Sequence, residues 1–358
     1  MYKKIERGFN MILLVGGTFD ENGGKESYIV NQMYNSIRNK NLICHLENGG
    51  THKDIGRILL DTLSYEVVIW MPNVLGNVEK QRNVKNINPR CMLVGSKRNN
   101  NEYDFGEVVK RALEQKLNLC IQFTKTEQSG RLMTILDPLG NIFYEGYNIQ
   151  EMVDVLIDRV LFLKKITRIG SYRGGRIIEA HIDPHFLELV KGYAETFHEL
   201  IQAQTSRFLG NCSTRCMRGF PSMRDGDFIC VSQRNVDKRY IDNNAFVPCT
   251  LTEKGVEYYS ENKPSVDTPI QLSLYNELPN INYMIHSHCY IKDALFTNKI
   301  IPCGGLEEVE EILKLIPNKD VEYAAINLKG HGSTIMCKNV RDLENIPYIP
   351  RILPERFN

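Results

Sequence analysis

The chain of 358 residues is 24% charged and 42% hydrophobic and carries a formal net charge of +1. That balance leaves no electrostatic case for a nucleic-acid or anionic-membrane partner, and no apolar run reaches the ~18 residues that read as a membrane span. The length points to two domains, and the ten cysteines, scattered without CxxC pairs, read as reduced thiols of a cytoplasmic protein.

The start, MYKKIERGFNMILLVGG, sets basic residues ahead of an apolar stretch too short and glycine-rich for a signal peptide; it fits a first strand, Met11 to Val15. A glycine-rich loop, Gly16 to Ser27, leads into a helix over 28–37. A strand at 42–46, a helix at 55–63 and a strand at 67–71 follow, then strands at 91–95 and 119–123 around an amphipathic helix at 105–117. A strand at 131–136 runs into the turn DPLGN, and a helix covers 152–163. Strands alternating with helices predict an α/β fold: a doubly wound parallel-sheet (Rossmann-like) domain over residues 1–166. Ligands of such sheets sit beyond the carboxyl ends of the strands. Gly16, Gly17 and Lys25 are therefore candidates for holding a phosphate at a helix N-terminus, with Asn48 to His52 beside them. The loop has neither GxGxxG nor Walker spacing, so a purely structural turn stands beside that reading. His45 and His52 read as structural or solvent-facing.

The stretch TRIGSYRGGRIIEAH marks the boundary to a second domain over 167–358, and Arg159, Arg168, Arg173 and Arg176 bring charge that suits an anionic ligand. A helix is expected over 185–204, with strands at 228–232 and 246–251. The segment KPSVDTPIQLSLYNELPNINYMIHSH, residues 263–288, then reads as a helix opened by Asp267, Thr268 and Pro269 and a strand from Ile281 to Ile285. After Ile300-Ile301-Pro302-Cys303 come the helix GLEEVEEILKLI and a strand, Tyr323 to Leu328, ending in LKGHGS. This half mixes helices with strands in hairpin-like order.

The chemistry concentrates in the second half. Residues two apart on a strand point to the same side, so His286 and His288 are aimed together at a strand end, about twenty residues after the carboxylate of Asp267. His331, between two glycines after another apolar strand, is the third imidazole. Three neutral imidazoles leave an open position on a divalent metal, which polarises a carbonyl or enediolate oxygen.

On these residues the chain resembles the class II aldolase/adducin-like family from about residue 185 to about 340. GNCSTR (210–215) is similar to the family's GNxSxR turn, and residues 263–288 to its segment from the acidic residue to the HxH ligands. Ile301-Pro302-Cys303-Gly304 with Leu306-Glu307-Glu308 resembles its proline strand and following helix, and LKGHGS its third-ligand motif. The resemblance implies a class II aldolase-like α/β domain, an α/β/α sandwich that is often tetrameric, with sites near subunit interfaces. It puts His286, His288 and His331 on the ligands of a divalent metal, expected to be Zn²⁺, and Asp267 on the catalytic acidic position. Asn211, Ser213 and Ser265 fall on positions that help hold a substrate phosphate. The implied reaction is that of a lyase or isomerase acting on a small phosphorylated hydroxy-carbonyl compound through a metal-stabilised enediolate. The expected partners are that substrate and further copies of the chain.

The chain also departs from the family pattern. Ser232-Gln233-Arg234-Asn235 replaces the family's TPTG-like turn, and Val266 its second serine before the acid, so Arg234 or Lys238 is left to grip a phosphate or carboxylate. The stretch from His288 to His331 is short, and IPYIPRILPERFN replaces a closing helix; Tyr290, Tyr348 or a residue of the first domain has to supply a second acid/base group. These departures keep two alternatives open: a non-catalytic binding or scaffold protein, and a nucleotide- or flavin-dependent enzyme whose main site is in the first domain.

Overall fold

The computed structural model describes residues 11–76, 83–99, 105–126, 130–200, 210–216 and 228–357. By contact the chain forms two units, one running to Lys164 and taking in Leu353 onward, the other spanning Lys165–Ile352.

In the first unit the strands are β1 (Ile12–Asp20), β2 (Cys44–Thr51), β3 (Val67–Trp70), β4 (Asn73–Val74), β5 (Met92–Asn99), β6 (Leu119–Lys125), β7 (Arg131–Leu136) and β8 (Asn141–Gly146). The helices are α1 (Tyr28–Asn39), α2 (His52–Asp61), α3 (Val84–Ile87), α4 (Phe105–Glu114) and α5 (Ile149–Lys165). The sheet runs β2-β1-β3-β5-β6-β7-β8. It is parallel as far as β6 and antiparallel from β6 to β8. Alternation along β1 sorts its side chains. Ile12 and Leu14 join Val30, Met33 and Ile37 of α1 and Met152 and Leu156 of α5, whereas Leu13 and Val15 join Ile55 and Ile58 of α2. Helices thus cover both faces, as expected, but the hairpin β7-β8 makes the sheet mixed. The strand β8 (NIFYEG) was not anticipated; its residues follow the turn at Asp137 to Gly140, where Asp137 accepts from the amides of Leu139 and Asn141.

The second unit contains β9 (Ser171–Arg173), α6 (Pro184–Leu200), β10 (Asn211–Arg215), β11 (Ile229–Ser232), β12 (Phe246–Thr252), β13 (Gly255–Tyr258), α7 (Thr268–Glu277), β14 (Tyr283–Ser287), β15 (Tyr290–Ile291), β16 (Leu295–Phe296), α8 (Glu307–Leu313), β17 (Tyr323–Leu328), β18 (Gly332–Cys337) and β19 (Tyr348–Ile349). Its main sheet runs β16-β17-β18-β14-β10-β11-β12-β13-β9, antiparallel except for its two outermost pairs. Period-2 alternation again divides the side chains. Val231, Met284 and Met336 pack with Leu272, Leu274 and Tyr275 of α7 and Ile312 of α8; Cys230, Ile285 and Ile335 pack with Phe186, Val190 and Phe197 of α6. The result is helix, sheet, helix, with α7 and α8 on one face. The expected helix over 185–204 ends at Leu200, and residues 201–204 lie outside the described ones.

Two expectations need correcting. GNCSTR is not a turn: Asn211 to Arg215 form the strand β10, held between β11 and β14, so pairing on both sides overrides the poor strand propensity of asparagine and serine. The second unit also does not extend to 358. The tail returns to the first unit, where β20 (Glu355–Arg356) satisfies the open edge of β8 in parallel.

Two glycines test the packing. A Cβ on Gly332, at φ +151°, would stand 1.9 Å from the Ser287 carbonyl oxygen, whereas one on Gly192 in α6 meets nothing within 4 Å. Gly332→Ala should lower the urea-unfolding stability of this unit by at least about 2 kcal/mol. Gly192→Ala should raise it by about 0.5–1 kcal/mol.

Candidate metal centre

His286 is the fourth residue of β14, on the face of Met284, which is the face that α7 and α8 cover. His288 follows just beyond the strand, and His331 sits in the connection between β17 and β18. The ring centroids lie 4.7 Å apart for His286 and His331, 5.1 Å for His288 and His331, and 5.3 Å for His286 and His288. One nitrogen from each ring lies within 4.8 Å of the others. His286 and His331 are buried and His288 keeps partial exposure.

Hydrogen bonds fix which nitrogen each ring turns inward. His286 Nδ1 lies 2.9 Å from the Ser333 carbonyl oxygen, which can only accept, so Nδ1 carries the proton and Nε2 a lone pair. That Nε2 is buried and has no hydrogen-bond partner. His331 Nδ1 lies 3.0 Å from the Glu308 carboxylate, which aims Nε2 the other way. The loop that carries His331 is held from outside: Arg351 donates to the His331 carbonyl at 3.2 Å, and the Tyr290 hydroxyl accepts from the Gly330 amide at 3.2 Å.

The surroundings push these groups in different directions. Burial, with His331 beside it, takes His286 down to about 4, and the same causes hold His288 well below the usual imidazole value. Burial also works against charge on His331, but Cys303 and Glu308 outweigh it and hold that imidazole well above the usual value. Burial raises Glu308, and His331 pulls it back.

Asp267 occupies the N-cap position of α7 without capping the helix. Its carboxylate oxygens turn sideways: Oδ2 accepts from Asn211 Nδ2 at 2.9 Å and Oδ1 from the Gly304 amide at 2.8 Å. Ser265 supports the same turn, its hydroxyl accepting from the Asp267 amide and its carbonyl from the Thr268 hydroxyl. Asn211, opposite His286 in the ladder, is braced in turn by Gln271. Sequence reasoning gave no part to Gln271, Glu308 or Cys303. The signal for Glu308 was its place in the first turn of the expected helix GLEEVEEILKLI; for Cys303 it was the thiol just before that helix.

Of the residues expected to hold a substrate phosphate, Asn211 and Ser265 are both engaged around Asp267. Asn211 spends its amide on Asp267. Ser213 is fully buried, its hydroxyl 3.1 Å from that of Tyr275, so it faces the interior and not a solute. Arg234 is exposed, its amide bonded to the Lys263 carbonyl, and Lys238 is buried with its ammonium near the Val236 carbonyl. Of the two tyrosines, Tyr290 lies at the His331 loop, while Tyr348 packs on the α6 side. In the first unit β1 runs on through Gly16 and Gly17 to Asp20, so part of the expected loop is strand. The rest folds onto that strand: the Thr18 amide meets the Lys25 carbonyl, the Gly24 amide the Gly50 carbonyl, and the Ser27 amide Asn48 Oδ1. Those amides are already partnered, and the Lys25 side chain is exposed. His45 and His52 bond Tyr65 and the Leu75 carbonyl, as structural histidines do.

Three histidines whose ring nitrogens lie within 4.8 Å of one another, at the end of a strand, form a cluster that could hold a metal ion. Residues 192–342 match the family described as Class II Aldolase and Adducin N-terminal domain, and residues before 192 have no family match. Three solved structures resemble parts of the chain. The DNA/pantothenate metabolism flavoprotein from Streptococcus pneumoniae is 12% identical over 43% of this chain and 99% of its own, with a TM-score of 0.35. An L-fuculose 1-phosphate aldolase is 16% identical over 46% of this chain and 82% of its own, at 0.33. The L-fuculose-1-phosphate aldolase from Thermus thermophilus is 14% identical over 43% and 79%, at 0.28. At these scores none of the three bears on activity. No curated protein matches the chain. Among the described residues no helix is long and apolar enough to cross a membrane.

Removing one partner of a buried, hydrogen-bonded pair leaves the other without compensation. Glu308→Ala should therefore cost about 3 kcal/mol in urea unfolding with EDTA present, and Glu308→Gln, which can still accept from Nδ1, clearly less.

Proposed function

We propose that this chain is a metal-dependent lyase or isomerase, of aldolase or epimerase type, acting on a small phosphorylated hydroxy-carbonyl compound. The observation that carries the reading is the buried, unpartnered Nε2 of His286, with the imidazoles of His288 and His331 beside it. A buried polar atom without a partner is costly, and three convergent imidazoles suit a divalent cation such as Zn²⁺. His286, His288 and His331 would hold that ion, which when bound supplies a Lewis acid for a carbonyl or hydroxyl oxygen. The match of residues 192–342 to the aldolase and adducin family supports the same reading.

The chain's own residues do the rest. Asp267 holds or releases a proton; each of its oxygens accepts one hydrogen bond and keeps a lone pair for a second. Asn211 and the Gly304 amide keep that carboxylate from swinging up to cap α7. Ser333 and Glu308 fix the tautomers of His286 and His331. Arg168, whose guanidinium burial pushes below its usual value while Glu307 pulls it back, and the exposed Arg234 are the cations suited to an anionic substituent. Several copies of the chain assembled together, as the resemblance implies, form part of the same reading.

Purified protein should contain about one divalent metal ion per chain, and the triple variant His286→Ala, His288→Ala, His331→Ala should contain almost none. Full occupancy in the triple variant, read by elemental analysis, would sink the site. Against a panel of sugar phosphates, Asp267→Asn should lower turnover by about 10²–10⁴-fold while metal content stays unchanged. Equal turnover in wild type and variant would remove Asp267 from the reaction.

A further inference from the structure

The three imidazoles do not account for every donor at the centre. Cys303 Sγ lies 3.3 Å from His331 Nε2, the nitrogen that Glu308 turns inward. On a tetrahedral zinc ion with ordinary bond lengths, a nitrogen and a sulfur ligand stand about 3.6 Å apart. The thiol is therefore about as close to His331 as a second ligand of one ion would be. The buried, unpartnered His286 Nε2 belongs to the three-histidine set whose nitrogens lie within 4.8 Å of one another; the sulfur stands just outside that set and adjoins it through His331.

The backbone that presents Cys303 is built for the purpose. The Gly305 amide closes a turn on the Pro302 carbonyl at 3.0 Å. Gly304, at φ +74°, sits where a Cβ would come 3.2 Å from the Val266 carbonyl oxygen. Its amide is the one that Asp267 accepts from. Asp267 thus holds the residue after Cys303, and its carboxylate is not among the donors that lie within 4.8 Å of one another. Glu308 is spent on the far nitrogen of His331. Of the ten cysteines only Cys216 and Cys303 are not buried.

We propose that the Cys303 thiolate is a fourth protein ligand of the metal held by His286, His288 and His331. The inference rests on the metal reading given above and goes beyond it. On binding, the sulfur gives its proton to solvent and donates a lone pair to the ion, with no change of oxidation state. Three imidazoles and a thiolate fill a tetrahedral shell. Softness of that donor set would favour zinc or cobalt over magnesium or calcium.

The test uses the full chain with Co²⁺ as the probe. Cobalt-loaded wild type should show a thiolate-to-cobalt charge-transfer band in the near ultraviolet, alongside the visible absorption of a tetrahedral centre. Cys303→Ser should keep the visible absorption and lose the charge-transfer band, and His331→Ala should weaken both. A second measurement covers the case in which the serine variant does not fold: in wild type, Zn²⁺ should protect Cys303 from iodoacetamide, and EDTA should restore alkylation, read by peptide mass spectrometry. Cobalt bound without a charge-transfer band, a band that survives in Cys303→Ser, or alkylation indifferent to zinc would overturn the ligand and leave the three-histidine site standing. No cobalt bound by wild type would bring down both readings.

Discussion

The second unit depends on a carboxylate placed where a helix would normally claim it. Asp267 stands at the start of α7, and a side chain there ordinarily bonds the first free amides of the helix. Here both oxygens point away from the helix, to Asn211 on β10 and to the Gly304 amide. A buried carboxylate loses several kcal/mol of hydration, and two hydrogen bonds plus the positive end of the α7 dipole offset that loss. Three segments far apart in sequence are thereby fixed to one side chain: β10, the head of α7 and the turn before α8. The histidine cluster lies on the sheet face these segments cover.

The strand β10 works as a ruler beneath α7. A ten-residue helix is about 15 Å long and a five-residue strand about 16 Å. At one end Asn211 holds Asp267. At the other, Arg215 donates to the Tyr275 carbonyl at 2.7 Å and to that of Leu278, which also accepts from the Ile281 amide, at 3.3 Å, and stands over the Tyr275 ring. The interior Ser213 completes the row against the Tyr275 hydroxyl. The motif GNCSTR therefore ties the helix along its whole length, and its polar residues are largely consumed by that task.

How much of this could be read from the sequence follows from what each signal measures. Strand ends, glycines and histidine spacing are local, and they placed His286, His288 and His331 together before any coordinate was known. Helices and strands of the first unit followed from alternation of apolar runs, although β8 hides behind a turn and the β6-β7-β8 meander cannot be told from parallel strands by composition. The direction of a side chain is not local. Nothing in KPSVDTPIQ says that Asp267 turns sideways, since the proline and the position favour a cap. Nothing in GNCSTR says that Ser213 faces Tyr275, because that depends on the pairing of Ser213 with Met284 across the ladder. Glu308 and Cys303 gain meaning only when the turn at Gly304 brings them to His331.

The three imidazoles are also unlike one another in what steadies them, and that asymmetry has a physical consequence. His286 leans on a neutral carbonyl, which fixes its tautomer without adding charge. His331 leans on a carboxylate, which with Cys303 overcomes the effect of burial and holds its imidazole well above the usual value. Cys303 approaches the other nitrogen of that same ring, so His331 is held between the α8 carboxylate and the thiol of the Gly304 turn. The Ser333 carbonyl adds no net charge beside His286, where burial and the neighbouring His331 outweigh the opposing pull of Asp267.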